Sequence, residues 1–449
     1  MRSVERSAVS SDITVDEARA VVAGWMRAQA AADPAFRGAF LTGSAADLPG
    51  AAPLPRSSDV DLTVLVAASS TAVVDRPISG AAAGPTAAAA PGRRSGKRLV
   101  DGVLVDVSYL EERALADPAW VATSFVYAPS FRGGQVLADP TGHLARLEAV
   151  IAPSFATPAA VRARTADVHH RIRARLTALD PDAPWAELVL QWLFPTSLTA
   201  VARLVTALRM PTVRQRYMRA RAVTPPTAYE RLLALLGCAD ATPGLVARHL
   251  DAVAERFDEA AAVLAATGPA AGLACTAAHS YPPSAEATRA PPEPADRPSA
   301  PEAPRLVDRG PMAAAAAAVA HSPAGSAPKD GSEFSAPAPP ERGRSERSSA
   351  HADLRLPFAA DLTPAARPVA IDGSRELVDG GNHREAVFWV VATAARCQAA
   401  LNALAPALAA ERERAFRALV ADLTGLRSPT DVLTRRASLL ADLAPPATG

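Results

Sequence analysis

The stretch from Ala39 to Val66, AFLTGSAADLPGAAPLPRSSDVDLTVLV, constrains this chain more than any other. A short apolar run ends at Gly43-Ser44. A loop containing Pro49, Pro53 and Pro55 follows, and Ser57-Ser58-Asp59-Val60-Asp61 opens a second apolar run. That run alternates: Asp59, Asp61, Thr63 and Leu65 fall on one face of an extended strand, and Val60, Leu62, Val64 and Val66 on the other, because strand side chains alternate with period two. Two carboxylates two positions apart therefore point the same way, with Cα atoms about 6.5 Å apart. Oxygen donors so spaced can share hard divalent cations. The Gly-Ser turn ahead of them offers backbone N–H groups of the kind that cradle a phosphate.

A third carboxylate joins them downstream. Arg98-Leu-Val, Asp101-Gly102 and Val103 to Leu110 read as a hairpin, since Asp-Gly is a strong two-residue turn signal. On its second strand Val103, Val105, Val107 and Tyr109 share one face; Leu104, Asp106, Ser108 and Leu110 share the other. Asp106 is thus a lone acid in an apolar strand, read either as solvent-facing on an edge or as a third metal-site ligand. A set of carboxylates without His or Cys favours Mg2+ over Zn2+.

Around this nucleus the expected fold is α+β: a small mixed-sheet domain over 12–110, followed by an all-helical domain. Thr14 and Glu17 form a capping box for a helix running to about Ala32. Residues 69–96, rich in Ala, Gly, Pro and Ser, read as a flexible loop, with Arg93 and Arg94 inside it and Lys97 at its end read as solvated and part of it. From Glu111 the pattern turns helical, over 111–123, 142–151, 158–179, 184–208, 212–222, 227–237 and 243–265. Residues 267–355 lack enough large apolar side chains to offset ordering entropy and are expected to be disordered. Helices resume over 374–380, 383–403, 405–425 and 429–443, so the helical domain reads as 111–266 continued by 356–444. The alternative is a separate module on a linker. Trp185, Trp192, Phe194 and Trp389 are expected in the core, and His169-His170 on a helix surface.

Charge narrows the function classes. With 47 basic and 46 acidic residues the chain is nearly neutral, unlike a dedicated nucleic-acid binder. Cys238, Cys275 and Cys397 are scattered and fit a reduced cytoplasm better than a disulfide framework. The start of the chain lacks the apolar core of a signal peptide, and Arg396 interrupts the longest apolar stretch, so no membrane span is expected.

Nucleotidyl transfer from a triphosphate needs a place for the phosphates, divalent cations to neutralise the attacking and leaving oxygens, and an activated hydroxyl. Gly43-Ser44 followed by Ser58-Asp59-Val60-Asp61-Leu62, with Asp106 on a later strand, resembles the DNA polymerase β-like nucleotidyltransferase superfamily over about residues 36–110. The helical remainder resembles bacterial small-molecule members, the kanamycin-type antibiotic-adenylating enzymes; the segment from Gln135 to Gly142 is part of that likeness, and the stretches from Pro211 to Tyr217 and from His383 to Trp389 resemble actinobacterial members. The resemblance implies a site in which Asp59, Asp61 and Asp106 are catalytic and hold two Mg2+ ions, while Gly43, Ser44 and Ser58 bind the nucleotide, ATP in the first instance. It also implies a general base from the helical part, for which Glu385 and Glu187 are the candidates; a first-turn acid such as Glu385 also suits the helix dipole alone. The expected partners are the NTP and a small-molecule acceptor, with neither membrane nor nucleic acid, and a homodimer is left open. Alternatives are transfer to a protein or RNA end, and a non-catalytic NTP-binding or scaffold protein on the same fold. Arg214, Arg216 and Arg219 either reach the triphosphate or a partner, or form a solvated basic face. The gap between Ser44 and Asp59 is longer than the family's usual spacing.

Overall fold

In the first turn of the first helix, Thr14 Oγ1 accepts from Glu17 N at 3.3 Å while Thr14 N donates to Glu17 Oε2 at 2.8 Å. This is the expected capping box, and such caps contribute about 1 kcal/mol. The computed structural model describes residues 13–55, 57–67, 95–267 and 359–443. The 267–355 insertion (Thr267 apart), most of the expected 69–96 loop, Cys275, Arg93 and Arg94 lie outside them. All described residues belong to one compact unit.

The described chain is α+β. One five-stranded mixed sheet has the order β3-β4-β2-β1-β5, with β1 Phe36–Thr42, β2 Val60–Val66, β3 Gly96–Val100, β4 Val103–Glu111 and β5 Val136–Ala138. Only β2 and β4 pair in parallel; the other neighbours are antiparallel. Both faces are covered. Val60, Leu62, Val64 and Val66 pack with Val103, Val105 and Val107 against Val15, Ala18, Val22 and Met26 of α1 (Val15–Ala32). On the opposite face Phe40, Leu65 and Leu110 meet Val121 of α2 (Pro118–Thr123) and Leu144, Leu147 and Ile151 of α3 (His143–Ile151). Asp101 and Gly102 turn the β3–β4 hairpin at φ 44° and 80°, the double positive φ of a type I′ turn.

Of the boundaries that differ from expectation, two flank the sheet. β4 runs through Glu111 where a helix was expected to begin; that carboxylate is fully buried and ion-paired to Arg113. β3 begins at Gly96, so Lys97 lies in the sheet and not in the loop.

The helices are α4 (Pro158–Thr177), α5 (Trp185–Thr206), α6 (Arg216–Arg221), α7 (Pro226–Leu236), α8 (Pro243–Ala266), α9 (Gly373–Asp379), α10 (His383–Leu404), α11 (Pro406–Thr424) and α12 (Pro429–Asp442). Short turns at Ala359–Leu362, Pro364–Ala366 and Pro368–Asp372 lead into α9. One core joins both sides of the insertion: Leu193 and Val201 of α5 and Phe257 of α8 cluster with Val387, Val391 and Leu401 of α10. Trp185, Trp192 and Trp389 are buried there, with Phe194 packed at its edge. His170 is exposed and His169 half-buried. Helices α5 and α10 have the length and apolarity to cross a membrane, yet 72% and 83% of their apolar windows are buried within this fold. Arg396, which interrupts the α10 run, is itself buried, ion-paired to Asp361 at 3.1 Å and stacked on Phe194 and Trp389.

Candidate functional site

Register assembles the site. Asp61 pairs with Thr42 on one side and with Asp106 on the other, and Asp106 pairs with Lys97. Directly paired residues project to the same face, so Lys97, Asp106, Asp61 and Thr42 form one lateral row across β3, β4, β2 and β1. Asp59 stands one residue before β2 and two before Asp61. Ligand oxygens of Asp59, Asp61 and Asp106 all lie within 4.8 Å of one another. Asp106 is 2% exposed, so it is no solvent-facing edge residue.

Lys97 is the residue the sequence reading misplaced. Its side chain, 3% exposed, inserts its Nζ between two of the carboxylates: it is ion-paired to Asp59 Oδ2 and lies 2.6 Å from Asp106 Oδ2. Burial works against the ammonium's charge, but Asp106, Asp59, Asp361 and Asp61 outweigh it and hold the lysine well above its ordinary range. Its position was available in the sequence. Counting outward from the two-residue Asp101-Gly102 turn pairs Val100 with Val103 and, three steps on, Lys97 with Asp106.

The Gly43-Ser44 turn lies against the same cluster. Gly43 has φ +64°, and a Cβ there would sit 1.7 Å from Asp61 Oδ2. Glycine is therefore required both by the backbone angle and by the carboxylate that approaches it. Ser44 begins a 3₁₀ turn, Ser44–Ala46. The proline-bearing loop then folds back onto α1: Val15 N and Asp16 N donate to Ala52 O and Gly50 O at 2.9 and 3.0 Å. The Arg19 guanidinium donates to Ala45 O and Leu48 O at 2.7 and 3.0 Å. The loop thus satisfies helix N–H groups that would otherwise lack partners. Ser58 is buried, and its N–H donates to Pro55 O at 2.8 Å.

The helical part reaches the rim through Ser57, whose hydroxyl donates to Glu376 of α9. Arg214 Nη2 donates to Ser57 Oγ at 3.3 Å. Burial lowers the Arg214 pKa, opposed by the charges of Asp59 and Glu376. Gly373 leaves room for that guanidinium, since a Cβ there would sit 2.2 Å from Arg214 Nη1. Asp47, just past the Ser44 turn, is ion-paired to Arg132 and lies 3.7 Å from Arg219. Arg216 is fully buried, with its guanidinium over the Phe388 ring at 4.6 Å. The three arginines do not form a solvated face: α6 starts only at Arg216, and the segment before it turns Arg214 inward.

The two glutamates singled out from sequence stand elsewhere. Glu385 is 2% exposed and accepts from Tyr229 Oη at 2.7 Å and Arg221 Nη1 at 2.8 Å. Burial and this bond push the Tyr229 hydroxyl upward. Glu187 is exposed in the first turn of α5, and burial together with Asp180 raises its pKa. Among the described residues neither makes a hydrogen bond or ion pair to the aspartates, whereas Glu376, which sequence reasoning missed, accepts from Ser57, two residues before Asp59.

No protein-family model matches this chain, and no curated protein matches it in sequence. The site's own geometry supports metal binding. Its donors are all carboxylate oxygens and they converge within 4.8 Å, while the Lys97 ammonium among them neutralises part of their charge.

Proposed function

We propose that this chain is a cytoplasmic, Mg2+-dependent nucleotidyltransferase of the DNA polymerase β-like type. It would transfer a nucleoside monophosphate, AMP in the leading version, from an NTP to a hydroxyl of a small molecule such as an aminoglycoside-like antibiotic. The supporting observation is the convergence of Asp59, Asp61 and Asp106 against the Gly43-Ser44 turn.

In this reading the acceptor oxygen bonds to the α-phosphorus as the bond to pyrophosphate breaks, and the hydroxyl proton passes to a base. Divalent cation held by the aspartates supplies charge neutralisation at the reacting oxygens. Ser44 and the backbone of its turn face the departing phosphates, with Arg219 and Arg132 nearby through Asp47. Glu376, solvent-accessible and hydrogen-bonded to Ser57, takes the place of Glu385 and Glu187 as the candidate base. A second reading, a non-catalytic nucleotide-binding or scaffold protein, draws support from Lys97 among the carboxylates.

Pyrophosphate release should be followed for each of the common NTPs against a panel of aminoglycosides and other hydroxylated metabolites, with and without Mg2+. Asp61→Ala is expected to abolish release while circular dichroism stays unchanged. Undiminished release from that variant would overturn the transfer mechanism. Absence of Mg2+·ATP binding by calorimetry would favour the second reading.

A further inference from the structure

Without nucleotide, the charges of the carboxylate cluster do not suit two divalent ions. Three aspartates carry a formal −3, and the Lys97 ammonium brings the cluster to −2. In the nucleotide-free chain one divalent cation completes neutrality; a second would leave an excess of +2, with no triphosphate to offset it, in a site whose Asp106 is 2% exposed. Uncompensated charge of either sign is costly away from water.

Geometry says which position is taken. Lys97 Nζ is bonded to one oxygen of Asp59 and one of Asp106, as a cation shared by those two ligands would be. Asp61 lies across β2–β4 from Asp106, with its carboxylate against Gly43. The lysine is not a swinging surface group: its strand is fixed opposite β4 by the hairpin register, and its side chain is 3% exposed. Asp361, in the turn that precedes Pro364, adds a further negative charge near the ammonium and is itself balanced by Arg396 at 3.1 Å.

We propose that Lys97 permanently occupies the cation position between Asp59 and Asp106, so that this site takes one divalent ion, held by Asp59 and Asp61 on the Gly43 side. This rests on the metal-dependent reading above and changes its stoichiometry. Lys97 is in that case a positioning residue, supplying fixed charge where a second ion would otherwise bind.

The test is a count of bound Mn2+ by electron paramagnetic resonance on the full chain, with Lys97→Met beside it. One Mn2+ per wild-type chain and two per Lys97→Met chain are expected, the paired ions giving a spin-coupled signal. Two ions in the wild type would overturn the inference and leave the metal-dependent reading standing. No ion in either protein would remove both. One ion in the wild type and still one in Lys97→Met would show that the lysine holds no cation position, and none in the wild type with one or more in the variant would show that it excludes metal altogether. Either result overturns the inference. Where Lys97→Met does not fold, a wild-type count other than one still overturns the inference, and Lys97→Gln takes its place as the variant expected to hold two ions.

Discussion

Lys97 lies directly across the β3–β4 hairpin from Asp106, and its ammonium is 2.6 Å from that carboxylate. Removing one partner of a buried ion pair costs about 3–5 kcal/mol, because the other charge is left without compensation. Lys97→Ala should therefore lower the urea midpoint markedly. Millimolar Mg2+ should restore part of the loss by binding the folded state, and should raise the midpoint of Lys97→Ala by more than that of the wild type, which has one cation position fewer to fill. Equal midpoints with and without Mg2+ would count against cation exchange at this position.

Gly43→Ala should do more than strain the backbone. A non-glycine residue in the left-handed region costs roughly 1–2 kcal/mol, and here the new methyl would also strike Asp61, 1.7 Å away. Gly134 provides the control, with φ +82° and nothing within 4 Å of its would-be Cβ. Both substitutions should reduce stability in urea by a similar backbone term. Only Gly43→Ala should weaken Mn2+ binding in a calorimetric titration, by an order of magnitude or more.

Glu376 and Glu385 should separate by phenotype. Arg221→Met leaves the buried Glu385 carboxylate with the Tyr229 hydroxyl as its donor; because the Arg221 side chain is 48% exposed, the cost should fall below the ~3–5 kcal/mol of a fully buried pair yet exceed that of Glu385→Gln, which keeps the shape and loses about 1 kcal/mol. Once folded, both variants should retain NTP turnover. Glu376→Gln should instead lower kcat at least tenfold with little change in urea midpoint, and a normal kcat in that variant would remove Glu376 from the mechanism.

Alkaline stability carries a sign that can be worked out. Burial pushes the thiols of Cys238 and Cys397 up to about 12 from an ordinary value of 9.0. The native chain keeps these protons while the unfolded chain releases them, so the contribution is complete below about pH 9 and declines as pH rises toward 12. The urea midpoint should fall between pH 8 and 9.5, and a Cys238→Ala/Cys397→Ala double variant should show a flatter slope. In the native protein, iodoacetamide should leave both residues unmodified by mass spectrometry until denaturant is added.

The shared core of α5, α8 and α10 predicts fragment complementation. Residues 1–267 and 356–449, produced together as separate chains, should co-elute in gel filtration and show the helical content of the intact protein. Separate elution would mean that continuity of the chain is needed for the two segments to pack.

What could be read from the sequence follows the range of the interactions involved. Strand β2 was legible because its period of two is local, and so was the Asp101-Gly102 turn, whose dihedrals match the residue types. The capping box at Thr14 and most helix ends rest on neighbours within a turn. Alternation likewise put Asp59 and Asp61 on one face, but Asp106 stayed open between an edge residue and a third ligand, because its place beside Asp61 depends on the long-range pairing of β2 with β4. What covers that face is another matter. Arg214 turns inward because Ser57, Glu376 and Gly373 meet it from distant parts of the chain, and Glu385 is structural because Tyr229 and Arg221 reach it. The misplacement of Lys97 had a different origin: composition drew the loop one residue too far, although the hairpin turn already fixed the pairing.

The row from Lys97 to Thr42 also bears on how the sheet assembles. A one-residue slip of β2, β3 or β4 would turn Asp61, Lys97 or Asp106 to the opposite face, toward the apolar cluster of Val60, Val105 and Val22. Mispaired intermediates are thus penalised by several kcal/mol per stranded charge, while the native alignment alone brings the opposite charges together. The same residues that gather a cation would then act earlier in the life of the chain as a proofreading code for strand alignment, selecting one register before any ligand arrives.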